Sequence, residues 1–151
     1  MLTNKMLAEK MSEYSLKFEF EEDCIVIEND GLSVWAYLTD SRTGKILKDV
    51  FLFSPIPTED VLDTSHIKQG NPPKLAKEFA SEVAYIPDIP ESELSVISSD
   101  KGDYCVFIGK HPFAAIYHNK MRGYSKSLCK SGGFGIPWCN NNYLQVFKPG
   151  S

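Results

Sequence analysis

Apolar and charged residues alternate strictly along Leu16-Lys17-Phe18-Glu19-Phe20-Glu21, the pattern of a strand with one wet face. Glu22-Asp23 turns the chain, and Cys24 to Ile27 predicts a second short strand. Asn29-Asp30-Gly31 is a strong turn signal, since Asp and Gly tolerate positive φ. The runs 33–38 and 46–53 predict a third and a fourth strand, joined by Asp40-Ser41-Arg42-Thr43-Gly44, the length of an ordinary hairpin loop. Val50-Phe51-Leu52-Phe53 is apolar on both faces, which predicts a strand covered on both sides near the middle of a sheet. Pro55 and Pro57 end it, because proline cannot donate to a ladder. Val96-Ile97 and the runs 104–108 and 113–117 predict further strands, with Gly109-Lys110-His111-Pro112 as the turn between the last two.

Helical periodicity is sparser. Leu2, Met6 and Leu7 share a face over residues 2–12. Residues 72–84 give the clearest helical pattern: Asn71 as cap, Pro72 at the first turn, and Leu75, Phe79 and Val83 repeating every four residues beside Ala76 and Ala80. Pro87 and Pro90 stop it. A short helix is predicted over 125–130 with Ser125 as cap, closed by Gly132 or Gly133 in the left-handed position that ends many helices, with Lys126 and Lys130 near its negative end. The tail 143–147 fits strand alternation and also a helix from Asn140 with Tyr143, Val146 and Phe147 on one face; the helix is the favoured of the two. Runs of hairpin-joined strands with helices outside that pattern make the fold class α+β: mainly antiparallel sheet of hairpins and meanders, with two to four helices packed on it. No linker or repeat divides the chain, so residues 1–151 are expected to form one domain.

Composition adds bounds rather than a reaction. At 151 residues and 42% hydrophobic content the chain is ordinary globular material, and a domain of this size buries about 68–70% of its unfolded surface without needing a disulfide or metal. No apolar run nears the ~20 residues that span a bilayer, which predicts no membrane partner. The amphipathic start MLTNKMLAEKMSEY lacks a small-residue cleavage site, which predicts a cytoplasmic protein with reduced thiols. Cys24, Cys105, Cys129 and Cys139 form no C-x-x-C pair, and His66, His111 and His118 are equally scattered, so neither metal nor cofactor is expected.

Charge changes the picture. Residues 1–100 hold 9 basic and 19 acidic residues, whereas residues 101–151 hold 7 basic residues and only Asp103 on the acidic side. The acid-rich segment Glu19, Glu21, Glu22, Asp23, Glu28 and Asp30 is a candidate surface for a basic protein partner, since such a patch steers association. Lys120, Arg122, Tyr124, Lys126 and Trp138 are the alternative: cations and aromatics that would serve a small anionic ligand or a cryptic enzyme if they converged. Nucleic acid is an unfavourable partner for a chain of net charge −4 whose basic residues are dispersed.

Ser131-Gly132-Gly133-Phe134-Gly135-Ile136-Pro137-Trp138 looks like a ligand loop and fails each test for one. It lacks the lysine of a phosphate-binding loop. It lacks the third glycine of a dinucleotide fingerprint, and Pro137 stands where helix and strand would have to pack closely. Its glycines are expected to turn the backbone, and Tyr124, Phe134 and Trp138 to fill the core or anchor a partner beside Arg122. No G-x-S-x-G or H-E-x-x-H occurs, so a nucleophile would need Cys105, Cys129 or Cys139 to meet His111 or His118 through the fold. His66 and the acids Asp88, Glu91 and Glu93 are expected in solvated loops.

The segment Gly123-Tyr124-Ser125-Lys126, then Gly133 to Trp138, then Tyr143 and Val146-Phe147, resembles the C-terminal part of some small bacterial proteins. In overall character the chain resembles the immunity proteins of polymorphic-toxin and contact-dependent inhibition systems. That resemblance implies a non-enzymatic α+β protein that binds one toxin domain and blocks it. It carries over no functional residue. The basic last third departs from the acidic face that would suit a nuclease toxin, which leaves the acidic first half as the surface such a partner would meet.

Overall fold

The computed structural model describes residues 13–58 and 74–147. Nine strands form two sheets. The first is an antiparallel meander in chain order, β1 (Tyr14–Glu19), β2 (Asp23–Asn29), β3 (Val34–Asp40) and β4 (Ile46–Phe53). The second has β5 (Leu94–Ser98), β6 (Tyr104–Ile108), β7 (His111–Ile116), β8 (Tyr124–Ser125) and β9 (Ile136–Pro137); its pairs are antiparallel except β8–β9, which is parallel. One α-helix, α1 (Asn140–Phe147), follows.

Side-chain alternation brings the sheets together. Ile25 and Ile27, Val34, Ala36 and Leu38, and Val50 and Leu52 leave their strands on one face, every second residue, as the period of a strand requires. They meet Leu94, Tyr104, Val106, Ala114 and Ile116 from the second sheet in one buried core. The outer faces carry smaller clusters. On the first sheet, Trp35 and Phe51 are covered by Leu75, Ala84, Leu128 and Phe134. On the second, Tyr117 and Tyr124 are covered by Trp138 and by Val146 and Phe147, two residues of the stripe predicted for the tail helix.

The turns follow their sequence. Asn29 Oδ1 accepts from Gly31 N at 2.8 Å, and Asp30 Oδ1 accepts from Leu32 N and Ser33 N at 2.9 Å each, with Gly31 at φ 88°. Asp40 Oδ1 does the same for Arg42 N and Thr43 N. The turn after β6 is tighter than predicted, since His111 and Pro112 belong to β7.

Five expectations are corrected. Of the two to four helices, one α-helix stands among the described residues, with two single-turn 3₁₀ segments, Lys77–Phe79 and Glu91–Glu93. Within the predicted helix 72–84, Ala76 and Ala80 are extended and Val83 is exposed. The backbone there bonds outward: Cys129 N donates to Phe79 O, Ser81 N to Ser127 O, and Ser54 N to Ala84 O. Leu75, Phe79, Ala80 and Ala84 still face the core, as lid rather than helix. The predicted helix 125–130 fails for the same reason: Lys126 N donates to Phe113 O, and the hydroxyls of Ser125 and Ser127 both donate to Leu52 O. Gly132 and Gly133 are not in the left-handed region; Gly135 is, at φ 136°. Finally, β4 is apolar on both faces but lies at a sheet edge, where Phe51 N donates to Phe134 O and residues 84–86 run beside Ser54. The helix expected over 2–12, the cap at Asn71-Pro72 and His66 lie outside the described residues.

Candidate functional site

One end of the sandwich opens as a cleft of about 630 Å³ between the β1–β2 turn and the β5–β6 loop. The turn supplies Phe20, Glu21, Glu22 and Asp23; the loop supplies Ser98 to Gly102; Leu38, Lys48, Tyr104 and His118 complete the lining. The loop is held by its own side chains. Ser99 Oγ accepts from Lys101 N and Asp103 N, Ser99 N donates to Asp103 O at 2.8 Å, and Gly102 takes φ 88°.

Beside the cleft, Asp103 is 2% exposed and satisfied by three donors. Ser99 Oγ donates to Oδ2 at 2.6 Å, and His118 donates to Oδ1 from its backbone N at 2.8 Å and from Nδ1 at 2.7 Å. Burial by itself pushes the carboxyl up, and the bonds from Ser99 and His118 outweigh it and hold it below the usual carboxylate range. An ionised Asp103 has no proton to give, so the proton of this pair sits on Nδ1, and whenever the imidazole is neutral its Nε2 is the acceptor. The His118 side chain is 46% exposed.

Two contacts tie the cleft to both sheets. Lys48 Nζ donates to Tyr117 O at 2.7 Å and His118 O at 3.1 Å. The Tyr104 hydroxyl donates to Asp23 Oδ2 at 2.9 Å, and burial, then that bond, push its pKa well up. Among the described residues no side-chain hydrogen bond or ion pair holds Glu21, Glu22 or Asp100, and all three are exposed.

The six acidic residues singled out from the sequence do not form one patch. Glu21, Glu22 and Asp23 line the cleft. Glu19 pairs with Lys17 at 3.4 Å, both exposed. Glu28 sits on the outer face of β2 beside a separate depression shared with Lys17, Cys24 and Tyr37. Asp30 caps its own turn.

The alternative group converges only in part. Lys126 Nζ lies 5.2 Å from the Trp138 ring, along a shallow groove with Val83 and Cys129. Tyr124 is buried against Tyr117, with ring centroids 5.3 Å apart. Arg122 Nη1 donates to Gly132 O, and Lys120 is exposed. Phe134 is buried with Trp35 and Phe51, so of the three aromatics asked about, two fill cores and Trp138 is half-buried.

Burial pushes the Cys105 thiol up to about 12, which leaves no thiolate to attack with. His118 Nδ1 is engaged by Asp103 rather than by a cysteine. Among the described residues no three His, Cys, Asp or Glu gather as metal ligands, and no helix is long and apolar enough to cross a membrane.

Sequence reasoning missed the roles of Asp103 and Ser99, and considered His118 only as a base for a cysteine, not as the partner of Asp103. The available signal was that Asp103 is the single acid after residue 100. Its histidine stands 15 positions away on another strand end, beyond any local spacing. No protein-family model, curated protein or solved structure matches the chain.

Proposed function

We propose that the protein is a non-enzymatic binding module that docks a basic face of a protein partner on the acidic lip of this cleft. The partner we propose is a toxin domain, neutralised as immunity proteins neutralise theirs. The observation that supports it most is the pair Glu21 and Glu22: exposed, adjacent, at the mouth of a concave site, and unpaired among the described residues. Carboxylates placed so remain hydrated and project their field outward, which speeds encounter with a basic surface. Asp23 differs, because it braces Tyr104.

The test is purification of the tagged protein from its own host in parallel with a Glu21→Lys/Glu22→Lys form that leaves Asp23 in place. A single stoichiometric basic partner should survive moderate salt with the wild type and be lost from the variant. With the purified pair, the association rate should fall roughly tenfold or more and lose much of its salt dependence. An unchanged on-rate would remove the lip from the interface.

A further inference from the structure

The cleft offers more than negative charge. Phe20 and Tyr104 stand in its wall with ring centroids 4.9 Å apart. His118 lines it with Nδ1 committed to Asp103, which leaves Nε2 as an acceptor in the neutral form of the ring. Lys48, the cation nearest in position, is spent on two backbone carbonyls. What is left to a ligand is chiefly the carboxylates, beside the half-buried Phe20 ring, and among the described residues Lys101 is the one other cation in the lining.

We infer that this cleft receives a guanidinium group, the side chain of an arginine on the partner's basic face. The inference rests on the proposed function and names what the lip takes in. A guanidinium carries five N–H donors in one plane, no acceptor and a permanent charge, so it needs several acceptors around its edge and tolerates aromatic rings on its face. Glu21, Glu22 and Asp100 supply carboxylates, and His118 adds Nε2 as an acceptor when its ring is neutral. An anion would meet those carboxylates unpaired. An apolar group would strip them of water with nothing to replace it. A lysine ammonium, a compact charge with three donors, would leave more of these acceptors empty. A volume of about 630 Å³ is within the range of small-ligand sites.

The test uses the full chain and a probe rather than the partner. N-acetyl-argininamide is titrated into isotope-labelled protein while backbone amide resonances are followed, with N-acetyl-citrullinamide as the uncharged isostere. The expected result is saturable shifts confined to residues 20–23, 98–102 and 118, with none from the citrulline compound. Glu21→Gln/Glu22→Gln should weaken the arginine probe about fivefold, the scale of exposed charge pairs. His118→Phe should weaken it as well; His118→Asn repeats that arm should the phenylalanine disturb folding. Equal shifts from citrulline, shifts around Glu28 instead, or no saturable shift would each overturn the inference. If the probe fails while the Glu21/Glu22 reversal still releases the partner, the inference falls and the docking lip stands. If the probe binds and no protein partner is retained, the pocket stands and the docking function falls.

Discussion

Asp103 shows how much one side chain decides here. It is the only acid in a basic stretch, yet it is buried, because its oxygens receive bonds from Ser99 and twice from His118. Those bonds favour the ionised form in the folded state, so its folded pKa lies below the unfolded one. The stability this adds is complete above about pH 4 and is lost as pH falls through the folded value. Ser99→Ala leaves Oδ2 without its donor and should cost about 1–3 kcal/mol in denaturant melts near pH 7. The gap to wild type should narrow as pH falls through the lowered folded-state value and the carboxyl protonates. A gap that ignores pH would mean that the hydroxyl acts through packing alone. Val96-Ile97 and 104–108 were legible in the sequence as strands on either side of this loop. That the Asp103 carboxylate orients a histidine was not, since the pairing needs β6 and β7 side by side.

At the scale of elements, the glycine-rich connection between β8 and β9 answers to its neighbours. Gly132 and Gly135 bridge each other, and each is crowded: a Cβ at Gly132 would lie 2.6 Å from Phe79 Cε1, and one at Gly135 would lie 2.8 Å from Gly123 O. Gly135 also holds φ 136°, which L side chains rarely adopt. Gly133 has open space around it. Gly133→Ala should therefore stay within about 0.5 kcal/mol of wild type, whereas Gly135→Ala should cost about 1–3 kcal/mol or more. Equal losses by denaturant unfolding would contradict this reading. The stretch is punctuation, as expected, but between two strands rather than after a helix. The helical periodicity of 72–84 misled for a related reason. A stripe at every fourth residue places apolar groups on one side of a helix, and an extended lid can bury several of the same residues one by one. Only Val83 is left out. α1 was legible because Asn140 opens a run whose stripe still faces the aromatic cluster.

For the whole molecule, the acidic first hundred residues and the basic remainder are joined where the sheets meet. Lys48 of β4 reaches the carbonyls after β7, Tyr104 of β6 reaches Asp23 of β2, and Lys130 pairs with Glu78 at 3.0 Å. Three cations of the last third have local partners: Arg122 a carbonyl, Lys126 a ring, and Lys130 both a carboxylate and the Phe79 ring. They share no common anion site, while among the described residues Glu21 and Glu22 have no side-chain partner at the cleft. Lys48→Met keeps the apolar stem and removes the ammonium. It should lower stability by about 1–2 kcal/mol and speed amide exchange at the end of β7 more than in β2. Uniform exchange across both sheets would show that Lys48 does not fasten this end.

Period-two alternation, Asn-Asp-Gly and Asp-to-Gly turns and strand-ending prolines are local signals, and they were enough to specify the first meander and the β6–β7 hairpin. They were enough too for the acids at the β1–β2 turn. Which apolar segments become lid, edge cover or helix was decided by tertiary structure, because a backbone group takes whichever partner packing brings near. At Phe79, Ser125 and Phe134 that partner lies across the fold rather than four residues away. The cleft is of the same kind. Its lining comes from two sheets, and the Asp103–His118 pair exists only because β6 and β7 set those two residues side by side.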